Sequence, residues 1–182
     1  MSIADRILRV KSSLPGQVEL VAVSKTYPAQ RIMEAYEAGQ RIFGENRPQE
    51  MAQKYEELPK DIEWHLIGHL QTNKVKYIIE DMDLIHSVDS IKLATEIDRH
   101  AARVNKVQDI LIEVNVGGEA SKSGIAPDQL EELLHEAGQL SHVHVRGLMT
   151  IPPVEGDEKF LYKMQQLYLD ISSKKMDNID ME

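Results

Sequence analysis

The feature that most restricts the fold is a regular alternation of short apolar runs with amphipathic helical segments. The runs "VELVAVSK" (18–25), "RIFGEN" (41–46), "EWHLIG" (63–68), "LIHSVD" (84–89), "DILIEVNV" (109–116) and "VHVRGLMTI" (143–151) read as strands. Each is followed by a stretch of helical spacing, at 28–39, 48–58, 71–82, 90–105, 126–140 and 158–175. Pro28 and Pro48 stand at helix starts and Gly39 at a helix end. Ile3, Ile7, Leu8 and Leu14 add a short amphipathic helix before the first strand. Strand–helix units in succession imply parallel strands joined by right-handed crossovers. Two architectures satisfy this pattern, a (β/α)8 TIM-type barrel and an open doubly wound sheet. No Gly-x-Gly-x-x-Gly follows the first strand, which weighs against the dinucleotide-binding form of the latter. No linker or low-complexity tract interrupts residues 1–182, so the chain reads as one domain.

Composition narrows the function classes. A net charge of -9 lacks the basic face that nucleic acid requires. The N-terminus has no apolar run long enough for a signal peptide or a membrane span. With no cysteine, disulfides and thiolate metal sites are excluded, which suits a reducing, cytoplasmic compartment.

The strand ends carry the candidate chemistry, because parallel barrels collect their sites there. Two-residue alternation groups Val21, Val23 and Lys25 on one inward face, then Ile42, Gly44 and Asn46. It groups His65, Ile67 and His69 next, then Leu111, Glu113 and Asn115, then Val145, Gly147 and Met149. In the fourth strand the pattern does not choose between His86/Val88 and Ser87/Asp89. The candidate cluster is therefore Lys25, Asn46, His69, Asn115, Met149 and either Ser87 or His86. Asparagine at a strand end is also an ordinary turn residue. Lys25 follows an apolar run directly. A partly desolvated lysine amine there is nucleophilic and condenses with aldehydes, as in aldolase-type imines or pyridoxal phosphate (PLP) attachment. The competing reading is a packed stem with its ammonium in water.

Other constellations fail. His65 and His69 lie about 13 Å apart if both sit on a strand, too far for one metal. The stretch "GGEASKSG" (117–124) does not match the P-loop pattern, and no nucleophile elbow occurs. No metal site and no catalytic residue set is expected.

The ordered set "AVSKTYP", "FGENRPQE", "WHLIGHLQTNK", "HSVDS", "VN" followed by "SKSG", and "GLMTIPP" resembles the pyridoxal phosphate homeostasis protein family. Its fold is similar to the N-terminal barrel of alanine racemase. The resemblance covers nearly the whole chain. It implies that Lys25 carries PLP as a Schiff base, with Asn46, Ser87, Asn115 and Met149 around the cofactor, and it favours Ser87 over His86. His69 lies in a matching motif and is included. It implies a carrier with little or no turnover, PLP-dependent apoenzymes as partners and a monomer for a complete chain. An amino-acid racemase and a barrel that no longer binds PLP are the competing readings. Family members continue with strands bearing Ser-Met-Gly-Met-Ser and Arg-Ile-Gly, which supply the phosphate cup. This sequence stops at "KKMDNIDME", where a seventh strand is expected to begin. The expectation is a barrel truncated after about six units, with bare strand edges and weak PLP binding.

Overall fold

Six parallel strands pair in the order in which they occur along the chain. They are β1 (Ala22–Val23), β2 (Ile42–Glu45), β3 (Glu63–Leu66), β4 (Leu84–Val88), β5 (Gln108–Glu113) and β6 (Val143–Met149). The helices are α1 (Ile3–Ser13), α2 (Ala29–Glu37), α3 (Pro48–Glu57), α4 (Ile91–Arg103), α5 (Leu130–Ala137) and α6 (Asp157–Ser172). This computed structural model describes residues 2–119, 122–153, 155–174 and 176–181. Strict sequential order decides between the two candidate architectures. Crossovers of one hand then place the helices on one side of the sheet, as in a barrel wall. A doubly wound sheet would reverse its strand order partway.

Local chemistry starts and stops the helices. Ser2 and Asp5 form a reciprocal capping box at α1, Pro48 occupies the first turn of α3, and the Ser90 hydroxyl accepts from Leu93 N–H at α4. On the helix-facing side of the sheet, Trp64, Leu66, Ile85, Val88, Ile110, Ile112, Val143 and Val145 are each at most 1% exposed. Full burial of each aliphatic chain contributes about 1.5–3 kcal/mol. They meet Leu93, Ala94, Ile97, Leu133 and Leu134 from α4 and α5 in one core.

The opposite face of the sheet is polar near the strand starts. His65 Nδ1 and His86 Nε2 are 2.9 Å apart, and His65 Nε2 lies 3.1 Å from Glu63 Oε1. Across β5 and β6, His144 Nδ1 lies 3.0 Å from Asp109 Oδ1, and Arg146 approaches the same carboxylate at 3.6 Å. After α6, Ile179 makes an isolated parallel bridge to Val145 on the outer side of β6.

Several sequence expectations need correction. The first strand was expected from residue 18, but β1 contains two residues. It is an edge strand, and the buried Gln40 amide donates to the carbonyls of Leu20 and Ile42 at 2.6 and 2.7 Å. A side chain thus takes over where a ladder would have continued. The expected helix at 71–82 is a 3-10 helix, Thr72–Tyr77, followed by turns. Its apolar spacing is still satisfied, since Val75, Ile78, Ile79 and Met82 are at most 3% exposed. β-branched residues at 72, 75, 78 and 79 disfavour a regular α-helix there. The helix expected at 126–140 opens with a 3-10 turn at Pro127–Gln129 before α5.

Register shifts alter which residues face inward. Between β4 and β5, Ile85 pairs with Ile110 but Val88 with Ile112, so His86 and Ser87 share a space that alternation allots to one residue. A similar shift in β6 pairs Val145 with Ile110 and Gly147 with Leu111. Val145, expected on the inward face, therefore packs on the helix side, while Gly147 and Met149 keep the register of Leu111 and Glu113.

Candidate functional site

The C-terminal ends of β2, β3 and β5 open onto a cleft of about 310 Å³. Asn46, Gly68, His69, Glu113, Asn115 and Lys122 are among the residues lining it. Three of the expected site residues, Asn46, His69 and Asn115, are thus brought together. Asn46 lies just past β2 and is half-buried, while His69 is exposed beyond the end of β3. β3 ends at Leu66, so His69 reaches the cleft from a loop rather than from a strand.

Gly68 shapes this wall. A Cβ on Gly68 would meet the Asn46 carbonyl oxygen at 2.6 Å and its Cα at 2.7 Å. Only the absence of a side chain lets the two strand-end loops touch.

Asn115 is committed to its own loop. Its Nδ2 donates to the carbonyl of Glu119 at 2.8 Å, and its Oδ1 accepts from Glu119 N–H at 3.2 Å. The side chain holds the turn after β5 closed, which accounts for an asparagine at that position. Within the glycine-rich stretch 117–124, Ala120 and Ser121 lie outside the described residues. Lys122 returns across the loop to the Pro152 carbonyl at 3.2 Å and to Glu119 at 2.6 Å.

Ser87 is 1% exposed, and its hydroxyl has no hydrogen-bond partner among the described residues. Buried hydroxyls normally find one, so this atom is an open acceptor or donor. Met149, the last residue of β6, accepts from Val114 N–H through its backbone at 2.8 Å. Neither Ser87 nor Met149 lines the cleft just described.

Lys25 is exposed on a tight turn two residues past β1. The residues around it are not free. Ser24 is 4% exposed, donates its N–H to Gly44 and its hydroxyl to Glu45 Oε1 at 2.6 Å. Lys54 Nζ contacts Glu45 at 2.6 Å, Glu50 at 2.7 Å and the Ser24 carbonyl at 2.8 Å. Burial pushes the Glu45 carboxyl above the usual range, against the opposing hydrogen bonds from Lys54 and Ser24. Burial raises Glu50 as well, but bonds from Lys54 and the Thr26 N–H outweigh it and hold that carboxyl low.

Glu113 is the cleft residue that strand-end reasoning did not select. It belongs to the inward set of β5, but attention fell on the asparagine two residues later. It is 6% exposed, and burial pushes its carboxyl up, reinforced by Asp89 and opposed by His69. Its burial was the signal, and burial is not written in a single residue letter.

Known proteins place this geometry. The family model for the alanine racemase N-terminal domain matches residues 1–177. The pyridoxal phosphate homeostasis protein of Aquifex aeolicus is 53% identical over 136 residues, covering 74% of this chain and 60% of its own length. That of Escherichia coli K12 is 41% identical, covering 79% and 63% respectively. The chain thus spans less than two thirds of either relative. PipY of Synechococcus elongatus, solved without PLP, superposes with a TM-score of 0.88 at 40% identity, covering 94% of this chain and 82% of that one. Its form described as PLP-bound gives 0.85 at 39% identity with the same coverage. An alanine racemase from Clostridium difficile gives 0.77 at 15% identity, a likeness of fold alone. With its sequential parallel sheet, its strand-end cleft and these relatives, the chain belongs to the alanine racemase N-terminal domain family, among the pyridoxal phosphate homeostasis proteins.

Proposed function

We propose that this chain binds pyridoxal 5'-phosphate with Lys25 as the point of attachment, and serves PLP homeostasis with little or no turnover. The observation that carries the reading is the placement of Lys25. It is an exposed amine on a held turn just past β1, on the same C-terminal side of the sheet as the cleft but outside its lining. The residues present fit the group. The cleft volume of about 310 Å³ lies within the range of small-ligand sites. Outside the cleft lining, Ser87 keeps a buried hydroxyl that has no partner among the described residues. When bound, PLP supplies an aldehyde that condenses with a lysine amine, releasing water. The chain's own residues have simpler tasks. Asn46 and His69 offer polar groups to the cleft wall, and Asn115 closes the loop beneath it. Gly68 lets the loop after β3 close against Asn46 to form that wall, and Met149 anchors the end of β6 through its backbone.

As a carrier, such a chain would hand PLP to cytoplasmic apoenzymes and work as a monomer. Among the described residues, no helix is long and apolar enough to cross a membrane.

Incubation with PLP, reduction with borohydride and peptide mapping test the reading. The reduced adduct is expected on Lys25 and absent from Lys25→Ala. Labelling at other lysines with Lys25 untouched would refute it. Racemisation of alanine by the PLP-loaded chain would replace the carrier reading with the enzymatic one.

A further inference from the structure

The cluster of Glu45, Glu50 and Lys54 has no place in the cleft, yet it is buried behind the turn that bears Lys25. The side chain of Glu45 is fully buried and that of Lys54 is 8% exposed. Burying an ion pair is a weak route to stability, since apolar residues of similar volume often serve as well. What the polar version adds is direction. Three of its contacts fall on the two residues flanking Lys25. Lys54 Nζ donates to the Ser24 carbonyl at 2.8 Å, and Glu45 accepts from the Ser24 hydroxyl at 2.6 Å. Glu50 Oε1 accepts from Thr26 N–H at 2.6 Å. Thr26 adopts φ 67°, a left-handed conformation that a β-branched residue avoids unless its surroundings enforce it. The Glu50 bond is positioned to enforce it.

We infer that Glu45, Glu50 and Lys54 are positioning residues for Lys25, fixing the peptide planes on both sides of it so that its flexible stem leaves the sheet in one direction. The inference rests on the reading that Lys25 is the attachment point. Lysine has a four-carbon stem with many rotamers. Attack on an aldehyde requires the Nζ lone pair to meet the carbonyl carbon along one approach, after which water leaves. A fixed origin for the stem reduces the search, and small misplacements of reacting groups are costly in rate.

Glu50 is the residue to change, because removing Lys54 would strand the buried Glu45 and could unfold the chain. Glu50→Ala leaves the Glu45–Lys54 pair and the Lys54 bond to the Ser24 carbonyl in place, and removes the acceptor for Thr26 together with one contact of Lys54. Glu50→Gln retains an oxygen there and serves as the conservative rescue. Asp61→Ala is the control, since Asp61 accepts from Tyr36 and Arg41 on the surface and has no contact with the turn. Two readouts are taken on each folded variant: amide exchange at Lys25 to Tyr27 without PLP, and the rate of PLP attachment at Lys25 trapped by borohydride. Glu50→Ala is expected to speed exchange at Thr26 and to slow attachment at Lys25 about tenfold, with other lysines unchanged. Glu50→Gln and Asp61→Ala are expected to stay within about twofold of the unmodified chain. Attachment at the original rate in Glu50→Ala, with exchange at Thr26 accelerated, overturns the inference while leaving Lys25 as the attachment point. Failure of the unmodified chain to label at Lys25 overturns both readings.

Discussion

His65 and His86 stand ring to ring on the inner face of the sheet, with centroids 4.9 Å apart. Burial, and then the neighbouring charge of His65, lowers His86 from 6.5 to about 4. The unfolded chain therefore takes up this proton near pH 6.5, while the folded chain resists until about pH 4. Stability is intact above pH 6.5 and declines as pH falls toward 4, by on the order of 3 kcal/mol at most. His86→Gln, which keeps a hydrogen-bonding group without titrating, should flatten that slope in urea unfolding measured across the interval. An unchanged slope would assign the proton uptake to another group. Gly68 makes a second prediction at this scale. The Cβ of Gly68→Ala would enter the Asn46 backbone at 2.6 Å, and backbone yields less readily than a flexible side-chain tip. The substitution should destabilise by about 1–3 kcal/mol. A chemical denaturation midpoint equal to that of the unmodified chain would show that the two loops separate freely.

β1 is the element whose length depends most on a single side chain outside it. Gln40 is 1% exposed and spends its amide on Leu20 and Ile42. Gln40→Leu fills similar space but leaves both carbonyls without that donor, at a cost of about 1–3 kcal/mol. Hydrogen exchange should rise across residues 20–24 and stay unchanged in β5. Asn115 plays the matching part in the turn after β5. Asn115→Ala removes its bonds to Glu119 and Lys122, so proteolysis within 116–124 should accelerate with little change in global stability. A loop as resistant as before would mean that the backbone bonds from Asn115 and Ile125 suffice to hold it.

Across the whole molecule, burial is graded from the sheet's centre to its first edge. Trp64, Leu66, Ile85, Ile110 and Ile112 are fully buried, whereas Val23 in β1 is 49% exposed. Local opening follows such gradients. Amides of β3 and β5 should exchange slowest and those of β1 fastest, read by exchange mass spectrometry of the intact chain. Equal protection in β1 and β5 would mean that another surface covers the first edge. Beside β6, Asn178 donates to the Gly138 and Leu140 carbonyls, and its own carbonyl accepts from Val145 N–H. These bonds tie the segment after α6 to both α5 and the sheet.

The strand–helix alternation, the N-terminal helix and most helix starts were legible in the sequence, because periodicity, prolines and caps act over a few residues. Alternation also pointed to Asn46, His69 and Asn115, which the structure brings to one cleft, with His69 reaching it from the loop past β3 and Lys25 outside its lining. Other features depended on partners distant in the chain. A register shift against β5 brought His86 and Ser87 together in β4, where alternation had to choose between them. A similar shift put Val145 on the helix side. The length of β1 was decided by Gln40, and the surroundings of Lys25 by Lys54, 30 residues after Ser24. Local spacing says which residues want to be buried or turned. Register, burial of charge and side chains that replace backbone partners exist only once separate segments meet, so tertiary structure alone decided them.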